Sequence, residues 1–293
     1  MLLGLDHATI AVRDLEVASD QLGQALGLRF SLGNEYPALG TISSIAPFST
    51  NYLELITVGK PDRARDSIHG RILLNLLSQR AATLLGFGIT SDDLERDVIE
   101  ARSRGLPLEG PFHGNARRPD GTFLTWRSAE VPTDPWGHEL PFLIQPISGM
   151  LQRRHVVAFN HHHLKAHTIR SLALAIEKLD NAIESYRLLL GEPPDTVEDV
   201  PQLSARRAFF CVGSFRIALL QPTEAGSPLA DTLLTRGNGV FQIGLGVPNL
   251  DEAISFLSER GTSIGDPTPW GTVPLSDPSQ TLGISFQLEE VAA

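Results

Sequence analysis

The chain has one cysteine in 293 residues, Cys211. A single cysteine excludes intramolecular disulfides and cysteine-built zinc sites. Its setting in the apolar run AFFCVGSF predicts a buried, inert thiol. No stretch approaches the length of a membrane span, and the first strand opens within a few residues of Met1, leaving no room for a signal peptide; a cytoplasmic location is expected. Low-complexity tracts and runs of like charge are missing. Basic residues are in deficit, 24 Lys and Arg against 34 Asp and Glu, for a formal net charge of −10. That balance argues against nucleic-acid or anionic-membrane partners, which select basic patches. Glycine-rich phosphate loops, nucleophile elbows and HExxH zinc signatures are absent as well.

What is present is a repeat. The stretch LDHATIAVRDLEVASDQLGQALG, from Leu5 to Gly27, reads as a strand followed by an amphipathic helix. Three further copies follow: LGFGITSDDLERDVIEARSRG, SLALAIEKLDNAIESYRLLLG and QIGLGVPNLDEAISFLSERG. Each helix opens on a leucine (Leu15, Leu94, Leu179, Leu250) and is followed by a glycine (Gly27, Gly105, Gly191, Gly261), at steps of 12, 11, 12 and 11 residues. The alternation predicts a duplicated pair of modules. In the first strand Ala8, Ile10 and Val12 pack under the helix, and His7, Thr9 and Ala11 look into a concavity. Strands are expected after each helix, including Leu39 to Ile45, Asn51 to Val58, Phe123 to Ala129 and Leu140 to Gln145, with loops over Gly33 to Pro37 and from Gly110 to the turn at Pro119-Asp120-Gly121. A short amphipathic helix is expected around Ile68 to Leu77.

With LDHATIAV, YLELI, RRPDG leading into TFLTWR, and LPFLIQ in its first half, this modular pattern resembles the vicinal oxygen chelate superfamily, the glyoxalase, bleomycin-resistance and extradiol-dioxygenase fold. Within it, the motifs are similar to those of a glyoxalase-like branch found in bacteria. The resemblance implies an α+β chain of four βαβββ modules in two tandem glyoxalase-like domains, each curled into a funnel-shaped mixed-sheet cavity. The N-terminal domain would be residues 1–147, the linker 148–167 and the C-terminal domain 168–293.

The superfamily places metal ligands on the cavity face of the first and closing strands of each module. Carried over, these positions are His7, Glu54, Gly86 and Gln145 in the first domain. Where members of the branch have a histidine before a GT step and a glutamate in the last strand, this chain has Tyr36 and Gln145. The resemblance therefore implies His7, Glu54 and Gln145 as ligands of Zn²⁺, Mn²⁺ or Fe²⁺, His7 and Glu54 as catalytic residues, and Arg118, Trp126, Gln145 and Tyr36 as substrate-binding residues. Taken as side chains alone, His7 and Glu54 equally make a metal-free pair bonded across adjacent strands. In the second domain the corresponding positions are Ser171, Ala218, Gln242 and Gln287, with no histidine or carboxylate. Extradiol dioxygenases carry iron there, so that activity is not expected.

Three readings follow. One is an isomerase or lyase acting on a small anionic or carbonyl substrate through a metal-stabilised enolate. Another is a metal-free protein that sequesters an aromatic or amphiphilic ligand, in the bleomycin-resistance manner. The third makes the second domain an association surface of a homodimer. Arg117, Arg118 and Asp120 form a turn from which a guanidinium could clamp an anion; Trp126 and Arg127 alternate, so only one faces the funnel. His113 and His138 are loop residues expected near the cavity mouth. The HHHLKAH run reads as interdomain linker, with a weak surface metal site at His161, His163 and His167 as the alternative.

Overall fold

A computed structural model describes residues 1–148 and 162–291. Most of the expected linker, with His155 and His161, lies outside the described residues, and so does the site that needed His161. Module one is β1 (Leu2–Val12), α1 (Leu15–Leu26), β2 (Ser31–Tyr36), β3 (Thr41–Pro47) and β4 (Tyr52–Val58). Two helices, α2 (Pro61–Asp66) and α3 (Ile68–Gln79), lead to module two: β5 (Ala82–Ser91), α4 (Leu94–Ser103), β6 (Glu109–Arg117), β7 (Phe123–Glu130) and β8 (Phe142–Pro146). Module three comprises β9 (Thr168–Ala175), α5 (Leu179–Leu190), β10 (Thr196–Val200), β11 (Ala205–Val212) and β12 (Phe215–Pro222). After α6 (Pro228–Arg236), module four has β13 (Gly239–Val247), α7 (Leu250–Glu259), β14 (Thr272–Pro274) and β15 (Ser285–Glu290).

The four module helices start at the four repeat leucines, for a local reason. Asp14, Asp93 and Asn249 each accept a hydrogen bond from a backbone N–H of the first turn, satisfying donors that the helix leaves unpaired. At the other end Gly27, Gly105, Gly191 and Gly261 all have positive φ, which a side chain would resist. At Gly27 a Cβ would also stand 2.7 Å from the Phe256 ring.

The first two modules close a barrel in the order β1-β4-β3-β2-β6-β7-β8-β5. In each module the first strand pairs parallel with the last, and β1 pairs antiparallel with β5. Closure between β2 and β6 rests on one paired position, Glu35 opposite Arg117. Both of these strands fall where loops were expected. Gly33 lets β2 come so close to β3 that a Cβ would meet the Ser43 carbonyl at 2.4 Å, and Gly114 leaves room for the Trp126 ring across the β6–β7 pair. Glycine here serves close approach inside a strand rather than a break in it. The turn at 119–121 does form, with Gly121 N–H donating to the Arg118 carbonyl.

The C-terminal modules make an open sheet, β10-β11-β12-β9-β13-β15-β14, so module four contributes two strands after its helix where module three contributes three. Both sheets turn their helix-bearing faces into one continuous apolar cluster: Ile10, Leu22 and Phe87 from the first half belong to the same core as Leu172, Phe210 and Phe286. Cys211 is exposed, because strand alternation buries its neighbours Phe210 and Val212 and turns the thiol to the other face.

Candidate functional site

One end of the barrel is filled. Leu73 and Leu77 of α3 pack with Ala11, Ile56, Leu85 and Trp136. Above this plug a cavity of about 1070 Å³ remains, walled largely by aromatic and aliphatic side chains, among them Tyr52, Trp126, Phe142 and Ile144.

His7 and Glu54 meet in this cavity. His7 Nε2 lies 3.9 Å from Glu54 Oε2, and both side chains are buried. That separation exceeds a direct hydrogen bond, so neither atom is taken up by the other. His7 stacks on Tyr52, ring centroids 4.6 Å apart, and meets the edge of Phe142. Its other nitrogen, Nδ1, is 2.8 Å from Asp6 Oδ1. Simple alternation would send Asp6 to the opposite face. A bulge intervenes: Leu5 and His7 pair with Ile89 and Gly88, consecutive residues of β5, so Asp6 is the extra residue and its carboxylate swings beside the imidazole. A carboxylate accepts and does not donate, so Nδ1 carries the ring proton and Nε2 presents its lone pair to Glu54. Asp6 Oδ2 accepts in turn from Thr90 Oγ1 at 3.2 Å.

Tyr36 completes the chain on the far side. Its hydroxyl donates to Glu54 Oε1 at 2.5 Å. Burial, reinforced by the Glu54 charge, raises the phenol well above the ordinary tyrosine range, so Tyr36 remains a donor at neutral pH. The resulting array is Asp6, His7, Glu54 and Tyr36 in sequence. Strand periodicity could not reveal Asp6, since only the bulge puts two consecutive residues on one side.

The remaining expected residues divide. Trp126 faces the cavity, edge-on to Tyr36 at 6.0 Å between centroids, and Arg118 lines the same space. Arg127 points away and pairs with Glu95. Gln145 belongs with Arg127. On β8, Phe142 and Ile144 turn inward, whereas the Gln145 amide accepts from Arg127 and donates to the Asp92 carbonyl at 2.5 Å. It is not brought to the His7–Glu54 pair. His113 stands on β6 at the exposed rim. His138 instead packs against Gly239 of β13, at the junction of the two halves. His162 is a structural residue: Nδ1 accepts from Arg29 N–H, Nε2 donates to the Pro47 carbonyl at 2.8 Å, and the ring tilts against Phe48. A second pair with no sequence signature, His69 Nε2 and Glu130 Oε2 at 3.1 Å, also borders the cavity.

The donor set does not fit a resident divalent ion. Catalytic sites hold such ions with about three protein ligands, and here His7 and Glu54 stand without a third. A side chain at Gly86 would have its Cβ 1.9 Å from the Trp136 carbonyl oxygen, Gly88 opposite His7 abuts the Phe142 ring, and the closing strand offers phenylalanine and isoleucine. Among the described residues no group of three His, Cys, Asp or Glu side chains is placed to hold a metal.

Paired βαβββ modules around a cavity define the vicinal oxygen chelate superfamily, and comparison with known proteins agrees. Residues 5–190 match the model of the glyoxalase-like domain, and the chain belongs to that family. No curated protein matches the sequence. Among solved structures, a hypothetical protein from Staphylococcus aureus is similar over 99% of this chain and 100% of its own, at 13% identity and a TM-score of 0.67. A variant of 4-hydroxymandelate synthase from Streptomyces coelicolor is similar over 100% of this chain and 94% of its own, at 15% identity and a TM-score of 0.67. Methylmalonyl-CoA epimerase from Mycobacterium tuberculosis matches 44% of this chain and 90% of its own, at 24% identity and a TM-score of 0.40. The first two likenesses, which span the whole chain, show the tandem fold. Among the described residues no helix is long and apolar enough to cross a membrane.

Proposed function

We propose that the N-terminal barrel is the active site of a small-molecule isomerase or lyase that works by proton transfer, with His7 and Glu54 as the catalytic acid–base pair. The observation that carries this reading is the buried Asp6–His7···Glu54–Tyr36 array with its 3.9 Å gap. Asp6 fixes the imidazole tautomer, and Tyr36 keeps Glu54 in place by a hydrogen bond to one oxygen while the other faces His7. A substrate C–H or O–H that approaches the pair from the cavity can pass its proton to His7 Nε2 and recover one from the same pair at a neighbouring atom. Trp126 and Tyr52 give an apolar or aromatic body a surface to stack on, and Arg118 orients an anionic or carbonyl end. This chemistry uses the chain's own residues, and saturating Zn²⁺, Mn²⁺ or Fe²⁺ is expected to leave no stoichiometric ion bound after gel filtration.

The test is solvent exchange. The protein is incubated in D₂O with a panel of aryl and alkyl 2-oxo acids and their esters, and loss of the α-proton signal is followed by NMR. Exchange in the parent, reduced about a hundredfold or more in His7→Gln and Glu54→Gln, is the expected result. A ligand that binds without exchange would favour the sequestration reading, to which the aromatic walls of the cavity also lend themselves.

A further inference from the structure

The C-terminal sheet has a concave face of its own, and the chemistry there differs from what its aligned positions suggest. Instead of a set without carboxylates, β15 presents Glu289 two residues beyond Gln287, buried. Glu289 is fully engaged: Ser171 Oγ and Arg216 both donate to it, and Gln287 Nε2 does so at 3.0 Å. Arg207 is engaged too, pairing with Glu198 at 2.7 Å and lying over the rings of Phe209 and Trp270.

Arg170 is not. Its guanidinium has no ion pair or hydrogen bond among the described residues, and its Nε is buried without a partner. The Nε atoms of Arg216 and Arg207 are also buried and unpartnered. A cavity of about 640 Å³ opens onto Arg170 and Arg216, with Thr168, Ser214 and Trp270 around it; its two carboxylates, Glu289 and Glu290, are taken up by Arg216 and by the Leu250 N–H. Buried donors in a native protein are almost always matched to an acceptor, and a charged donor is the costliest to leave unmatched. The acceptor that suits two neighbouring guanidinium groups is an oxyanion, which can take paired N–H bonds from the planar fork.

We infer that this cavity is an anion-binding site for a carboxylate or phosphate group, with Arg170 as its principal ligand and Arg216, already holding Glu289, as its second. The site adjoins the barrel: Ser49, Thr50 and Ser214 line both cavities. Between β3 and β4 the next residue, Asn51, donates to Thr168 Oγ1 at 3.1 Å and to the Ile169 carbonyl at 3.0 Å, flanking Arg170. An anion held here therefore touches the same loop that walls the barrel cavity.

The experiment is isothermal titration of the full chain with inorganic phosphate and, separately, with acetate, at ionic strength held constant with NaCl. The parent is expected to bind one equivalent of at least one of the two anions. Arg170→Ala should weaken binding at least tenfold, Arg170→Lys should restore part of it, and Arg187→Ala, an exposed arginine of α5 paired with Glu184, should leave it unchanged. Thermal melts in NaCl alone confirm that Arg170→Ala is folded. No binding of either anion by the parent overturns the proposal, as does binding that survives Arg170→Ala or disappears with Arg187→Ala.

Discussion

Asp6 shows how much can turn on one residue. A carboxylate at His7 Nδ1 sets which ring nitrogen is basic, at 2.8 Å and out of contact with bulk water. Asp6→Asn keeps the size and removes that preference, because an amide can donate to Nδ1 and reverse the tautomer. Activity is expected to fall by roughly a hundredfold to ten-thousandfold with KM little changed, measured as kcat on whichever substrate the exchange assay identifies. Tyr36 supplies a second residue-scale prediction, together with Tyr186, whose phenol burial also raises well above the ordinary range. In the unfolded chain both phenols ionise near pH 10, at about the free value. The folded protein keeps their protons to higher pH, so it binds more protons than the unfolded chain in that interval. Their contribution to stability is complete below about pH 10 and is lost as pH rises through the folded values. Thermal melts between about pH 8 and 11.5 should show a steeper alkaline loss in the parent than in Tyr36→Phe.

At the scale of elements, the informative contacts are between helices of different modules. Arg260, just beyond α7, donates through Nε to the Gln24 carbonyl at 2.7 Å and through a terminal nitrogen to that of Gly23, in the last turn of α1. Arg104, just beyond α4, does the same for Leu188 and Leu189 at the end of α5. Each places a cation on carbonyls of the last helical turn, at the negative end of the dipole; of these, the Gly23 carbonyl also accepts from the capping Gly27 N–H. Arg104→Ala and Arg260→Ala are each expected to cost about 1 kcal/mol, the low end for charged hydrogen bonds because these arginines are partly solvated. In differential scanning calorimetry that amounts to a fall in Tm of about 2–4 °C for a chain of this size. Helix starts were legible because capping is local: the Asp14, Asp93 and Asn249 caps need only the next few residues. Strands β2 and β6 were not, since their glycines and prolines mimic a loop until a neighbouring strand is placed beside them.

For the whole molecule, the continuous core means that each half covers part of the other's apolar surface. Phe87 of β5 meets Phe215 of β12 across the junction, ring centroids 6.2 Å apart, and Asn51 exchanges hydrogen bonds with Ile169. A fragment ending at Ser148 would expose to water the surfaces of α1, α4 and β5 that meet the C-terminal half. It is expected to lose the dispersed NMR spectrum and cooperative melt of the full chain, although it carries the entire barrel. A fragment that melts cooperatively near the parent's Tm would show the halves to be independent.

The sequence by itself determined the four-module repeat and its helix boundaries, because caps and periodicity are consequences of near neighbours along the chain, whereas His7 and Glu54 were singled out together by the family resemblance. Only the tertiary structure decided the rest. A bulge against β5 put Asp6 beside His7, the neighbours of β8 engaged the Gln145 amide with Arg127 and the Asp92 carbonyl, and the packing of β12 and β15 gave Glu289 to Arg216 and left Arg170 without a carboxylate partner among the described residues. Each of these depends on which strand lies alongside another, and a linear pattern of residues carries no record of that.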